Sequence, residues 1–224
     1  MKQFIFLVVL AGAFTLFNAS ISSGQTSESQ VLITWEASTY TPPGFRGKAL
    51  PVEGSLVTAS MEVFDSSGRL FDLREQTVYW YLNGKLIKGG IGIQTVIFRS
   101  SQGTQELRVQ LPDYSDGILV KTIEIPVVRP EAVVSYSGVG GFIGNSARVE
   151  ALPYFFNVRD KKDLEFSWKV NNQAPDNLAS PEFLEINLPT GAPDNFLVNI
   201  SLSIVNKNFT GETASKLLRL TLRK

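Results

Sequence analysis

Between Leu56 and Phe64 the chain alternates: Val57, Ala59, Met61 and Val63 interleave with Thr58, Ser60 and Glu62. A period of two marks a strand with one buried and one solvated face. Alternation also runs through Val78-Tyr79-Trp80-Tyr81-Leu82-Asn83-Gly84, and it returns as Glu165-Phe166-Ser167-Trp168-Lys169-Val170-Asn171-Asn172. Each copy ends in two residues that tolerate positive φ, so each predicts a strand entering a tight hairpin turn. Eighteen residues after each Trp stands an inward candidate, Phe98 or Ile186, and twenty-three after it a glycine, Gly103 or Gly191. A register kept over that distance predicts two copies of one β-domain. The strand of Val57 and Ala59 has its counterpart in Ala147-Arg148-Val149-Glu150-Ala151. The predicted core therefore holds Trp80, Trp168, Phe98, Ile186, Val57, Ala59 and Val149.

The remaining short strands follow from alternation bounded by turn signals: Val31–Trp35, Thr95–Phe98, Gln105–Leu111 and Ile118–Val128 in the first half. In the second half they fall at Ala132–Tyr136, Ser146–Leu152, Leu164–Asn171, Phe183–Leu188, Phe196–Val205 and Lys216–Leu222. Helical periodicity has no length anywhere, so the fold class is all-β, two tandem antiparallel β-sandwiches. The boundaries place the sandwiches at 31–128 and 132–224, with the Pro-bearing linker 129–131 between them. Residues 1–22 combine a short basic start, the uncharged run Phe4–Phe17 and small residues, the pattern of a secretory signal peptide. A Ser, Thr, Gln and Glu spacer, 23–30, separates it from the fold. An uncleaved membrane anchor is the alternative reading of the same run, although it is short of the 20 or so apolar residues that span a bilayer.

Composition narrows the chemistry. The 224 residues are 43% apolar and 19% charged, a globular balance, and contain neither Cys nor His. That double absence removes thiol nucleophiles, disulfides, Ser-His-Asp triads and His or Cys ligation of transition metals. Without the leader, 20 basic residues face 21 acidic ones, and no long run of like charge exists. Neither nucleic acid nor an anionic membrane surface is an expected partner, and the membrane enters only through an uncleaved leader. No cofactor is expected. The Gly89-Gly90-Ile91-Gly92 cluster lacks the following helix that phosphate binding needs.

A Trp on the third strand, facing the opposite sheet within a sandwich of roughly 100 residues, resembles the immunoglobulin-like fold, here without its usual cysteine pair. The stretch Trp35–Leu50 (WEASTYTPPGFRGKAL), with Pro51–Val57 and the Tyr79–Gly84 strand, is similar to uncharacterised exported proteins of ultrasmall candidate-phylum bacteria. That resemblance implies a bacterial surface or periplasmic setting and no particular activity. Periplasmic pilus chaperones also consist of two such domains, and they depend on a basic cleft for which Arg46, Lys48 and Lys121 are candidates by residue type.

Other candidates have ordinary structural readings. Asp113-Tyr114-Ser115-Asp116-Gly117 offers oxygen ligands of the kind calcium accepts, but it is also a hairpin turn. The pairs Glu182 with Glu185 and Asp160 with Asp163 are carboxylates that nothing places across a cleft. Trp35, Tyr40 and Phe45 form a candidate binding surface, either an aromatic platform for sugar rings or packing at the end of a core, with Pro42-Pro43 as a rigid bend. Together these features point to a non-catalytic exported protein of the cell envelope. Its loops and edge strands would be displayed to another envelope or surface protein, pilus components among them. A carbohydrate-binding module and a periplasmic assembly chaperone are the alternatives.

Overall fold

The computed structural model describes residues 28–114, 117–136, 142–143, 146–176, 178, 180–187, 191, 193 and 195–223. The expected leader, 1–22, lies outside these residues, as do Ser115 and Asp116 of the candidate calcium turn.

Seven strands build the first half: β1 (Gln30–Ala37), β2 (Leu56–Phe64), β3 (Thr77–Leu82), β4 (Lys85–Ile91), β5 (Thr95–Arg99), β6 (Gln105–Tyr114) and β7 (Gly117–Ile125). They form two sheets, ordered β1-β2-β5 and β4-β3-β6-β7. The second half repeats the plan with β8 (Glu131–Tyr136), β9 (Phe142–Ile143), β10 (Ser146–Tyr154), β11 (Leu164–Val170), β12 (Phe183–Asn187), β13 (Phe196–Asn206) and β14 (Thr213–Arg223). Its sheets run β12-β10-β8 and β11-β13-β14-β9. In both halves the first long strands and the strand after the Trp hairpin face the sheet that carries the Trp. This is an immunoglobulin-like sandwich, twice over. Among the described residues the strands pair antiparallel except β14 with the two-residue β9, which run parallel, and an isolated parallel bridge joins Val52 to Val128. Glu131, expected in the linker, is already in β8, where it stands opposite Tyr154.

Each sandwich closes on its own hydrophobic cluster. One gathers Ile33, Val57, Ala59, Met61, Val63, Trp80, Phe98, Leu107 and Val109, and the other Val149, Phe156, Phe166, Trp168, Ile186, Ile200 and Ile204. Trp80 is fully buried, and Trp168 keeps 3% of its surface. A buried indole needs an acceptor for its N–H. Trp80 Nε1 donates to the carbonyl of Ile93 and Trp168 Nε1 to that of Pro181, each at 2.9 Å and each thirteen residues along the chain. The repeat thus extends to a hydrogen bond. The turns also correspond: Asn83 and Gly84 have φ of 50° and 77°, Asn171 and Asn172 of 48° and 68°. In each, the Asn side chain accepts from the backbone of the neighbouring strand, at Glu106 N–H or Asn199 N–H, and clamps the hairpin to the sheet. Gly103 and Gly191 share a left-handed φ of 79° and 80°.

Candidate functional site: the outer face of the first Trp sheet

On β3 the inward positions are Val78, Trp80 and Leu82, so Thr77, Tyr79 and Tyr81 point outward. Beside Tyr81 on β6 stands Arg108, at an outward position between buried Leu107 and Val109. Its guanidinium lies 4.3 Å from the centroid of the Tyr81 ring, a stacked cation–π contact. Arg108 Nε is buried and makes no hydrogen bond, so the stacked ring is what this edge of the guanidinium meets.

The edges of this face are apolar. On β4, Leu86 opposes Tyr81 and is 51% exposed, and Ile91 opposes Thr77 and is 71% exposed. On β7, Val120 opposes Gln110 and Ile118 lies nearby, both exposed. Gly89 opposes Tyr79, and a Cβ there would come within 2.6 Å of the Tyr79 ring. The glycine is therefore what lets that ring lie down on the sheet. Tyrosine, arginine and aliphatic side chains on a pleated surface make a patch rich in the residue types that dominate protein interfaces.

The same face of the second sandwich is different. Ser167 and Lys169 take the places of Tyr79 and Tyr81 around the Trp, and Ser201, Ser203 and Ser215 follow on β13 and β14. Leu217 is its exposed apolar residue on β14. Two copies share a core and a turn but not an outer face, so the difference is not dictated by the fold.

The expected surface of Trp35, Tyr40 and Phe45 does not form as one platform. Tyr40 leaves the first sandwich: its N–H donates to the Phe156 carbonyl, its carbonyl accepts from Phe155 N–H, and its ring packs on the second core. Burial raises the Tyr40 hydroxyl pKa above the ordinary value. Phe45 follows it, edge-on to Tyr154 at 5.5 Å and to Phe155 at 6.0 Å. Trp35 stays on β1, half-buried, with Lys48 Nζ 3.5 Å from its ring centroid. Partial burial there lowers the Lys48 pKa. The Pro42-Pro43 bend thus carries a strap across the joint between the sandwiches. A cavity of about 520 Å³ lies at the same joint, lined by Val52, Gln102, Arg129, Phe209 and Glu212 among others. Glu212 is spoken for: it accepts from Asn157 N–H and from Asn206 Nδ2.

One member of each carboxylate pair is likewise engaged locally. Asp160 caps a short turn by accepting from Lys162 N–H. Glu182 accepts from Ser180 Oγ and meets Lys161 Nζ at 3.1 Å, and these two contacts hold its pKa below the ordinary value. Among the described residues no group of three or more acidic side chains is placed to hold a metal ion. The tyrosine face was missed in the sequence because Tyr79 and Tyr81 flank a core Trp. Their contrast with Ser167 and Lys169 was the available signal.

No family model matches this chain, and no curated protein is significantly similar to it. Among solved structures, fibronectin(III)-like modules of CbhA from Clostridium thermocellum are similar, at 12% identity and a TM-score of 0.27, over 86% of this chain and 93% of that one. The three N-terminal domains of the Highly Immunogenic Outer Capsid protein of bacteriophage RB49 share 12% identity at a TM-score of 0.33, over 88% of this chain and 70% of that one. A Bacteroides ovatus glucan-utilization protein, SGBP-B, solved with a mixed-linkage heptasaccharide, shares 12% identity at a TM-score of 0.28, over 88% of this chain and 48% of that one. Likenesses this distant carry no argument about ligand or partner, and what the chain binds has to be read from its own surface.

Proposed function

We propose that this chain is a non-catalytic, exported cell-envelope module that binds another protein through the outer face of β4-β3-β6-β7. The observation that carries the proposal is the contrast between copies: Tyr79, Tyr81 and Arg108 beside Leu86 and Ile91 on one sandwich, serines and Lys169 beside Leu197 and Leu217 on the other. A protein partner fits better than a glycan. Sugar rings stack on open aromatic faces, whereas the Tyr81 ring already carries the Arg108 guanidinium. An Arg–Tyr pair with aliphatic neighbours matches the composition of interface hot spots instead. The signal-peptide pattern of residues 1–22, with the apolar run Phe4–Phe17, supports the envelope setting.

The test is site-specific photocrosslinking in the producing cells, with a photoreactive residue at Tyr79 or, as the internal control, at Ser167. A discrete crosslink to a protein other than this chain from position 79, and no such crosslink from 167, is the expected result. Equal yields from both positions, or none from 79, would refute the assignment of the face. With a partner in hand, Tyr81→Ala should weaken binding about 30-fold, the size of a hot-spot truncation near 2 kcal/mol. Amino-terminal mass spectrometry of the same samples tests export: a start after residue 20 or 22 is expected.

A further inference from the structure

The two Trp sheets also differ at an edge. In the first, β4 covers the outer side of β3. In the second, β11 is the terminal strand of β11-β13-β14-β9, and among the described residues no strand lies beyond it. The chain leaves the Asn171-Asn172 turn, bridges Gln173 to Val170, and then departs from the edge. Leu164 to Lys169 remain open. This segment has no Pro, no Gly and no bulge in its register with β13, so the charged side chains Glu165 and Lys169 are what guards its free edge.

The direction of its backbone groups can be worked out. Lys207 N–H donates to the Asp163 carbonyl and Asn171 N–H to the Asn199 carbonyl, so the odd-numbered residues of β11 turn their polar groups toward β13. The even-numbered ones, Leu164, Phe166 and Trp168, turn theirs outward. Leu164 N–H is already used at the Lys161 carbonyl, which leaves its carbonyl and both groups of Phe166 and Trp168. On the solvent face of the same segment stand Asp163, Glu165, Ser167 and Lys169, and none of these charges takes part in the ion pairs of the described residues.

We infer that a second copy of this chain occupies the edge, the two β11 strands pairing antiparallel about Phe166. Even residues must oppose even residues, and Gln173 blocks the place beside Val170, so a register centred on Phe166 is the one that keeps each copy clear of the other's turn. In it, each Phe166 N–H donates to the second copy's Phe166 carbonyl, and each Trp168 N–H to the second copy's Leu164 carbonyl. Four backbone hydrogen bonds form. Lys169 then stands opposite the second copy's Asp163 and diagonal to its Glu165, twice over by symmetry, so the strand is charge-complementary to itself. A foreign strand would have to match that pattern, whereas a copy of this one does so by construction.

Sedimentation velocity over a concentration series tests the pairing, using the complete chain after its amino terminus has been determined. The native protein should show reversible monomer–dimer exchange. Lys169→Glu should weaken it at least about tenfold, and Asp163→Lys with Glu165→Lys should do the same. The two variants mixed in equal amounts should form a heterodimer, because every reversed charge then meets its opposite. A native chain that stays monomeric, variants that dimerise like the native chain, or a mixture that stays monomeric would each overturn the inference. Near-ultraviolet circular dichroism of the Trp residues confirms that each variant is folded. Tyr81→Ala should leave the dimer intact, which separates this result from the fate of the tyrosine face.

Discussion

Gly84 and Asn172 occupy the same turn position in the two sandwiches, with φ of 77° and 68°. Only the first is the residue type that adopts this backbone freely. Nothing lies within 4 Å of a Cβ added at Gly84, so Gly84→Ala tests the backbone alone. It should destabilise the first sandwich by about 1 kcal/mol, while Asn172→Gly should stabilise the second by a few tenths to about 1 kcal/mol. Thermal melts of both variants check the opposite signs. The residues read most directly from sequence were of this kind. Trp80, Trp168, Val57, Ala59 and Val149 sit on alternating strands, and all are buried. Leu73 and Phe156 are equally buried but lie in irregular segments, where no period announces which way a side chain points.

At the scale of elements, the β3–β4 ribbon shows how an edge strand shapes a binding face. The ribbon's register shifts between Trp80 and Tyr81, and the two glycines of β4 follow on its far side. The sequence shows these glycines, but not that Gly89 seats the Tyr79 ring. That information lies in the cross-strand pairing, which depends on the bulge. Gly89→Ala would place a methyl group 2.6 Å from that ring. The ring must swing outward, so the variant should fold with a small loss of stability and lose partner binding at the face. A shift of the Tyr79 ring resonances with the core Trp signals unchanged would show the effect to be local. The aromatic loop between β1 and β2 was legible as a rigid bend, yet not as a bridge. Pro42-Pro43 fixes local direction, and only the relative placement of two sandwiches decides what Tyr40 and Phe45 reach.

Across the whole molecule, that bridge ties the two cores together beside the Arg129-Pro130 link. Tyr40 exchanges backbone hydrogen bonds with Phe155 and Phe156, Val128 N–H donates to the Pro51 carbonyl, and Lys161 and Glu182 pair close to Tyr40. The Glu182 pKa is depressed below its unfolded value of 4.5, chiefly by Ser180 Oγ and also by Lys161. A group of that sign contributes stability that is complete above its unfolded pKa and is lost as pH falls through the folded one. The second sandwich should therefore weaken on acidification below about pH 4.5, and Glu182→Gln should flatten that part of the pH profile while leaving neutral stability lower. Tyr40→Ala acts on coupling instead. With the ring and its packing on the second core removed, the melting of the two sandwiches should separate into two calorimetric transitions, where the native chain is expected to show one. A single transition at unchanged temperature would show that the strap follows the arrangement of the domains and does not enforce it.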